Sequence, residues 1–197
     1  DGNDIGDFYY TPPTGFLALC TANLPDVDVK PQEHFNTVLY TGNDTTSRTI
    51  TGAGFAPDLL WGKTRGSINN HFLFDTLRGT NRLVTNSTGA ESDYATWFST
   101  LTSDGFTTGT TMANSMNKDN DPFVAWFWKA NGSGSSNTNG SITSTVSVNT
   151  DAGFSIVSYT ATSSSHTFGH GLSKAPEWIY HRMRNTSGGG NCYHGSL

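Results

Sequence analysis

The chain has 197 residues, enough for one sizeable domain or for one domain with parts of others. Hydrophobic residues make up 34% of it, charged residues 14% and aromatic residues 12%, a balance that is typical of extracellular β proteins and not of disordered chains. The net charge of −5 and the lack of any Lys/Arg block exclude a nucleic-acid footprint, and the longest apolar runs, 16–20 and 123–128, are far shorter than the ~20 residues of a membrane-spanning helix.

Strand signals recur along the chain. Short segments rich in β-branched and aromatic residues are bounded by Gly, Asn, Asp, Ser or Pro, which is the pattern of strands and their turns. They lie at 35–41, 48–51, 58–65, 71–75, 106–109, 122–129, 141–148, 154–160 and 177–184. Only 90–101 leaves both helix and strand open. The sequence therefore predicts an all-β chain built as a β-sandwich.

The segment FVAWFW, residues 123–128, is apolar on both faces when it is written as a strand. One face carries Val124, Trp126 and Trp128, and the other carries Phe123, Ala125 and Phe127. Such a strand is expected to be central and buried between layers, so both tryptophans are predicted to be core residues. The polar run NGSGSSNTNG that follows, residues 131–140, predicts a flexible hinge.

An internal repeat organises the chain. HFNTVLYTG, from His34, aligns with GFSIVSYTA, from Gly153, so that Phe35 corresponds to Phe154, 119 positions later. GAGFAPDLLWGKTR (52–65) aligns with GHGLSKAPEWIYHRMR (169–184) through a two-residue insertion before Ala-Pro, after which the offset is again 119 and Trp61 corresponds to Tyr180. Identities at one offset on both sides of a compensated gap indicate a tandem module of which the second copy is truncated.

These features predict five parts. Residues 1–25 are the C-terminal strands of an upstream domain, 26–33 are a linker, and 34–130 are a complete β-sandwich module. Residues 131–140 are the hinge, and 141–197 begin the second, truncated copy.

Motifs that could bind ligands have structural interpretations here. Gly52-Ala53-Gly54 and Gly169-His170-Gly171 lack the third glycine and the Lys-Ser/Thr of a nucleotide loop, which favours tight turns. His166 and His170 are ~13 Å apart in an extended segment. The acidic segments 117–121 and 1–7 lack the distal Glu of a calcium loop and are typical of Asx turns. No metal and no cofactor are predicted.

Candidate catalytic residues are equally scarce. No G-x-S-x-G elbow is present, and Asp58 and Glu177 occupy equivalent strand starts, which favours a structural role. Cys20 and Cys192 are expected to be two free thiols, one of them buried, although a disulfide stays open. No catalytic residue is predicted, and ligand-binding residues stay unassigned. Exposed aromatics could stack on sugars, but the equivalence of Tyr40 with Tyr159 favours core positions for the aromatic residues.

A family resemblance is carried by GDFYYTPPTGFLALCTANLP (6–25), which resembles the closing strand and exit of SPRY-like, concanavalin-type sandwich domains in large structural proteins of marine bacteriophages. HFNTVLYTG, ITGAGFAPDLLW, LFDTLRGTNRL and FVAWFWKANGSGSS resemble the tandem β module that follows in those tail-fibre-like proteins. The resemblance spans essentially the whole chain and departs from the pattern at EWIYHRMRNTSGGGNCYHGSL. It implies jelly-roll or concanavalin-like sandwiches in a virion, and it implies no catalytic residue.

The expected function is therefore that of a non-enzymatic structural and adhesive module of a phage tail fibre. The expected partners are further copies of the chain, other virion proteins and host-surface glycans, without nucleic acid and without membrane insertion. The alternatives are an accessory carbohydrate-binding module of a secreted carbohydrate-active protein, and a bacterial surface adhesin.

Overall fold

The computed structural model of the chain describes residues 4–6, 8–25, 28–111 and 116–197. The chain divides into two compact units, Asp1–Lys30 and Pro31–Leu197. The described part of the first unit contains one 3₁₀ turn, Thr21–Asn23, and no strand. Its assignment to an upstream SPRY-like domain stays a prediction. Within the described ranges, no helix has the length and apolar character needed to cross a membrane.

The second unit is made of antiparallel strands after a 3₁₀ turn at Pro31–Glu33. They are β1 Phe35–Thr41, β2 Thr49–Thr51, β3 Leu59–Thr64, β4 Phe72–Asp75, β5 Asn81–Val84, β6 Ser92–Asp93, β7 Phe98–Thr102, β8 Gly105–Thr108, β9 Pro122–Trp128, β10 Ser135–Asn137, β11 Ser144–Asn149, β12 Phe154–Tyr159, β13 Trp178–His181 and β14 Asn191–His194. All nine predicted strands are confirmed. The segment 90–101 is not helical, since it contains β6 and β7.

The largest sheet has six strands in the order β1-β9-β3-β4-β5-β6. The uncharged strand β9 lies inside it, between β1 and β3, and pairs with β1 along its whole length and with β3 from Phe123 to Trp128. Trp126 is opposite Thr37 on one side and opposite Trp61 on the other. Because side chains alternate along a strand, this register places Trp61 and Trp126 on one face of the sheet.

A second layer, the three-stranded sheet β2-β8-β7, covers the other face. One buried cluster joins the two layers, with Phe74 stacked on Phe98 at 4.2 Å and Phe106 6.2 Å from Phe127, measured between ring centroids. Gly62 leaves room in this core for the methyl group of Met116, which a Cβ at position 62 would meet. The β-sandwich prediction is therefore confirmed for this part of the chain.

The remaining strands form a three-stranded sheet, β10-β11-β12, and a hairpin, β13–β14. Both contact the sandwich formed by β1–β9, which we call the first sandwich. The Arg184 guanidinium, between β13 and β14, binds both carboxylate oxygens of Glu91 at 2.9 Å, and Trp128 lies 6.3 Å from Phe154 of β12 between ring centroids. The predicted hinge also contacts the sandwich, since the Gly132 N–H donates to Asp58 at 3.0 Å. The division into a complete module, a hinge and a truncated second copy stays a prediction.

Candidate functional site

The candidate site is the face of the six-stranded sheet that points away from the core. We call it the tryptophan face. It is formed by alternate residues of three neighbouring strands, namely Phe35, Thr37 and Leu39 of β1, Val124, Trp126 and Trp128 of β9, and Leu59, Trp61 and Lys63 of β3. Phe35 and Leu39 are exposed, the three tryptophans are half-buried, and Val124 is buried. A row of aromatic side chains on an outward face of a sheet is typical of a binding surface.

Trp61 and Trp126 form the centre of this face. They are direct cross-strand neighbours, with ring centroids 5.4 Å apart and ring planes at 47°. The Trp61 indole N–H donates to the Thr85 hydroxyl at 3.2 Å, which fixes the orientation of the ring. Because cross-strand aromatic pairs hold each other by edge and face contacts, the two rings form a preorganised angled platform.

A second aromatic group extends the face along β9. Trp128 packs against Phe35 at 4.9 Å and against Phe154 at 6.3 Å, measured between ring centroids. Phe154 belongs to β12, so the strands after the predicted hinge contribute to this surface. Trp128 is thereby more enclosed by rings than Trp126, which leaves the Trp61–Trp126 pair as the better platform.

Charge on the tryptophan face is sparse. His71 lies 6.5 Å from Trp61 between ring centroids, and burial, followed by the charge of Lys63, lowers the pKa of its imidazole. The imidazole is therefore neutral at pH 7, and Lys63 supplies a cation beside it. The nearby carboxylate of Asp75 binds Arg78 at 2.7 Å and is buried. The face combines flat apolar rings with few polar groups at the edge, which suits neutral ligands.

The described residues include no group of His, Cys, Asp or Glu side chains that could hold a metal ion. The tryptophan face itself carries no Ser, Cys or His–carboxylate arrangement that could act as a nucleophile with its base. Its arrangement suits binding by stacking.

Residues 30–197 match a domain family of unknown function, DUF7483. The chain belongs to this family. The DUF7483 match is continuous across the predicted hinge, so β1–β9 and β10–β14 lie within one family domain. No curated protein and no solved structure matches the chain.

The prediction that both tryptophans of β9 are core residues is wrong in this DUF7483 domain. The two faces of β9 are assigned correctly, and Phe123, Ala125 and Phe127 are buried. However, Trp126 and Trp128 are half-buried and lie outside the core cluster, because the second sheet packs on the opposite face of β9. Trp61 belongs to the same outward face, whereas Tyr40, for which a core position was also predicted, packs against the core cluster, where burial raises the pKa of its phenol.

The glycine turn at 52–54 is confirmed. Gly52 and Gly54 have φ values of +108° and +80°, which favour glycine, and both N–H groups donate to the Asp104 carboxylate, at 3.0 and 2.6 Å. In the second turn Gly171 has a φ of +78°. The Asp58 carboxylate accepts the N–H of Ala130 at 2.7 Å, which is a structural role.

Asn117 of the acidic segment 117–121 is buried and donates to the Asn43 side chain at 3.0 Å, which ties two loops together. Of the segment 1–7, only residues 4–6 are described. Cys20 is half-buried and Cys192 is exposed, and both are free, so the expected buried thiol is wrong. The side chain of His166 contacts Tyr159, with ring centroids 5.8 Å apart.

Sequence reasoning missed Arg82. This side chain is buried on the core side of β5, with its guanidinium carbon 3.4 Å from the ring centroid of Tyr94 and 5.0 Å from that of Trp97. Burial lowers the pKa of the guanidinium. The aromatic rings replace water around the cation. The alternation in NRLV, residues 81–84, indicates this placement, because Arg82 and Val84 must share a face of the strand. It was missed because a lone Arg in a short strand ordinarily points outward.

Proposed function

We propose that this chain is a non-enzymatic structural and adhesive module of a fibre-like virion protein, and that the tryptophan face is its contact with host-surface glycans. The observation that supports the proposal is the Trp61–Trp126 pair, two flat rings held at 47° on an outward sheet face. The C–H face of a pyranose is apolar and stacks on such rings, while Lys63 and Thr85 lie beside the pair as hydrogen-bonding groups for hydroxyls.

The wider setting of the proposal comes from the resemblance to tail-fibre-like proteins. In that setting the chain resides in the extracellular particle, self-associates and contacts other virion proteins. A repeated module would place several tryptophan faces along one fibre, and multivalency would turn weak single contacts into firm attachment. Shallow stacking sites depend on this gain, since an aromatic pair contributes only about 0.5–1.5 kcal/mol beyond its buried area.

The test is a glycan array with the wild-type chain and Trp126→Ala. We expect binding to a defined set of glycans and a loss of about tenfold or more in affinity for the variant, equivalent to about 1.4 kcal/mol. The matched control is Trp178→Ala, which removes an exposed tryptophan outside the tryptophan face and should leave binding unchanged. Equal binding by all three proteins, or no binding by the wild type, would refute the glycan role.

An accessory carbohydrate-binding module of a secreted enzyme would use the same face. The glycan class separates the two proposals. A virion adhesin should prefer cell-surface glycans of a host, whereas an accessory module should prefer the polymer that its enzyme degrades.

A further inference from the structure

Two basic side chains lie at one end of the tryptophan face. Lys63 belongs to that face, opposite Val124 of β9, and is two positions from Trp61 along β3. Arg65 follows β3, and its N–H donates to the Pro122 carbonyl at 2.6 Å, so the antiparallel pairing with β9 continues to this residue. Because side chains alternate along an extended segment, Arg65 lies on the same face as Lys63, about 7 Å further along. The face therefore carries two cations in a row beyond Trp61.

Neither cation forms an ion pair within the part of the chain that the structure describes. Arg65 is exposed, and Lys63 is half-buried and adds its charge to the burial that lowers the pKa of the His71 imidazole. Asp121 directly precedes β9 at this end of the sheet, but its carboxylate lies 3.7 Å from the Lys118 ammonium. The charges of Lys63 and Arg65 therefore remain free to attract an anion.

The second hairpin shows what these two positions bind when oxygen atoms are within reach. β13 and β14 begin 119 residues after β3 and β4, and the two hairpins have the same register. With this offset, Arg182 is the equivalent of Lys63 and Arg184 is the equivalent of Arg65. The two pairs of basic residues thus occupy the same places in two copies of one hairpin.

The basic pair of the second hairpin binds a carboxylate and two carbonyl groups. The Arg184 guanidinium holds both carboxylate oxygens of Glu91 at 2.9 Å. Arg182 donates to the carbonyl oxygens of Val84 and Gly89, at 2.6 and 2.7 Å. Two parallel N–H donors on one carboxylate are a strong and specific arrangement for arginine. The two hairpin positions are therefore suited to a carboxylate with further oxygen atoms beside it.

We propose that Lys63 and Arg65 form an anion subsite beside the Trp61–Trp126 pair, and that the glycan bound there carries a carboxylate on the sugar unit next to the stacked one. A neutral pyranose lies on the two rings, and the carboxylate of the next unit accepts hydrogen bonds from the Arg65 guanidinium. Lys63 lies between them and donates to oxygen atoms of either unit.

This inference rests on the proposed glycan-binding role of the tryptophan face and names the class of glycan. The ligand is an acidic oligosaccharide that contains uronic or sialic acid units. A glycan is favoured over a protein carboxylate because the two cations continue the stacking platform along the same strand, with a spacing that one extended chain of sugar units can follow.

The probes are matched pairs of oligosaccharides. One set alternates neutral and uronic acid units, and each member is paired with the same oligosaccharide after reduction of its carboxyl groups to alcohols. Sialyllactose and lactose form a further pair. We expect the wild-type chain to bind at least one acidic member about tenfold or more tightly than its neutral counterpart, and salt to reduce this preference by screening the charges.

Three variants assign the preference to the subsite. Arg65→Gln should weaken binding of the preferred acidic member about tenfold and leave binding of its neutral counterpart unchanged. Arg65→Lys keeps the charge but not the planar fork and should retain part of the preference. Lys174→Gln removes an exposed lysine outside the tryptophan face and should bind like the wild type. Near-ultraviolet circular dichroism checks that each variant is folded.

The outcomes separate this inference from the proposed function. Equal binding of acidic and neutral members would overturn the anion subsite and leave the glycan role intact, whereas binding of no member would refute both. An unchanged preference in folded Arg65→Gln would also overturn the subsite. Self-association of the wild type that Arg65→Gln abolishes, without any preference between acidic and neutral glycans, would assign the two cations to a protein carboxylate instead and would overturn it as well.

Discussion

The hairpins β3–β4 and β13–β14 have the same register, so each residue of one has an equivalent in the other, but the surroundings of the two side chains differ. Leu60 and Ile179 are the clearest pair: the two side chains are similar in size and hairpin position, but only Leu60 is enclosed by a second sheet. The contribution of such a side chain to stability therefore comes from what covers it and not from the strand that carries it.

We expect Leu60→Ala to lower the free energy of unfolding by about 2–5 kcal/mol, because it leaves a cavity in a closed core. Ile179→Ala should cost less than about 1 kcal/mol, since much of that side chain is already in water. Urea unfolding followed by circular dichroism measures both changes. Equal costs at the two positions would mean that Ile179 is buried in solution.

His71 shows how one residue can make stability depend on pH. Burial and Lys63 lower the pKa of the folded imidazole below its ordinary value of 6.5, so the unfolded chain binds the proton more strongly. The stabilisation is present above pH 6.5 and is lost as the pH falls from there through the lower pKa of the folded state. His71→Gln should remove this part of the pH dependence.

The measurement is the free energy of unfolding of the wild type minus that of His71→Gln, from about pH 8 to about pH 4. We expect the difference to be constant above the ordinary histidine pKa and to decrease below it. His166→Gln, at a half-buried histidine in the loop after β12, is the comparison that separates the effect of His71 from a general loss. A difference that is independent of pH would contradict the placement of His71.

Whole elements were largely predictable because the strand signal is local. β1 and β9 have clean alternation or dense aromatic content between turn residues, and their bounds agree with the prediction. β5, β10 and β14 were missed because NRLV, SSN and NCYH carry polar residues that signal turns, and only pairing with a neighbour makes them strands. The burial of Trp126 was mispredicted because alternation assigns faces but does not tell which face a second layer covers.

The segment that follows β13, residues 182–184, is bound to the first sandwich through two arginine side chains. The Arg184 guanidinium binds Glu91 in a bidentate manner and also donates to Ser158 at 2.6 Å, and the hydrogen bonds with Glu91 raise its pKa. Arg182 donates to the backbone carbonyls of Val84 and Gly89, at 2.6 and 2.7 Å. These charge-assisted bonds connect the end of β13 to the segment between β5 and β6.

Arg184→Gln should lower the free energy of unfolding by about 1–2 kcal/mol, less than a fully buried pair because the side chain is partly exposed. It should also speed amide exchange in β13 and β14. Arg65→Gln changes the equivalent residue of the first hairpin, which is exposed, and should have almost no effect. If the two variants behave alike, the ion pair with Glu91 does not hold the hairpin in solution.

At the scale of the whole molecule, the sandwich formed by β1–β9 closes one face of the six-stranded sheet and leaves aromatic rings on the other. The closed face holds Phe74, Phe98, Phe106 and Phe127 in stacked and tilted contacts and accounts for the stability of the fold. The other face carries the half-buried Trp61 and Trp126, which lie outside the core cluster and form the proposed platform for a ligand. The division between a core face and a binding face is what the proposed adhesive role requires.

The most direct test of that role follows the indole N–H signals of the five tryptophans by NMR while a glycan selected on the array is titrated. We expect the signals of Trp61 and Trp126 to shift together and to saturate with one dissociation constant, while the signal of Trp97, which packs against the core, stays in place. Shifts confined to Trp97 or Trp178, or no saturable shift of Trp61 and Trp126, would contradict it.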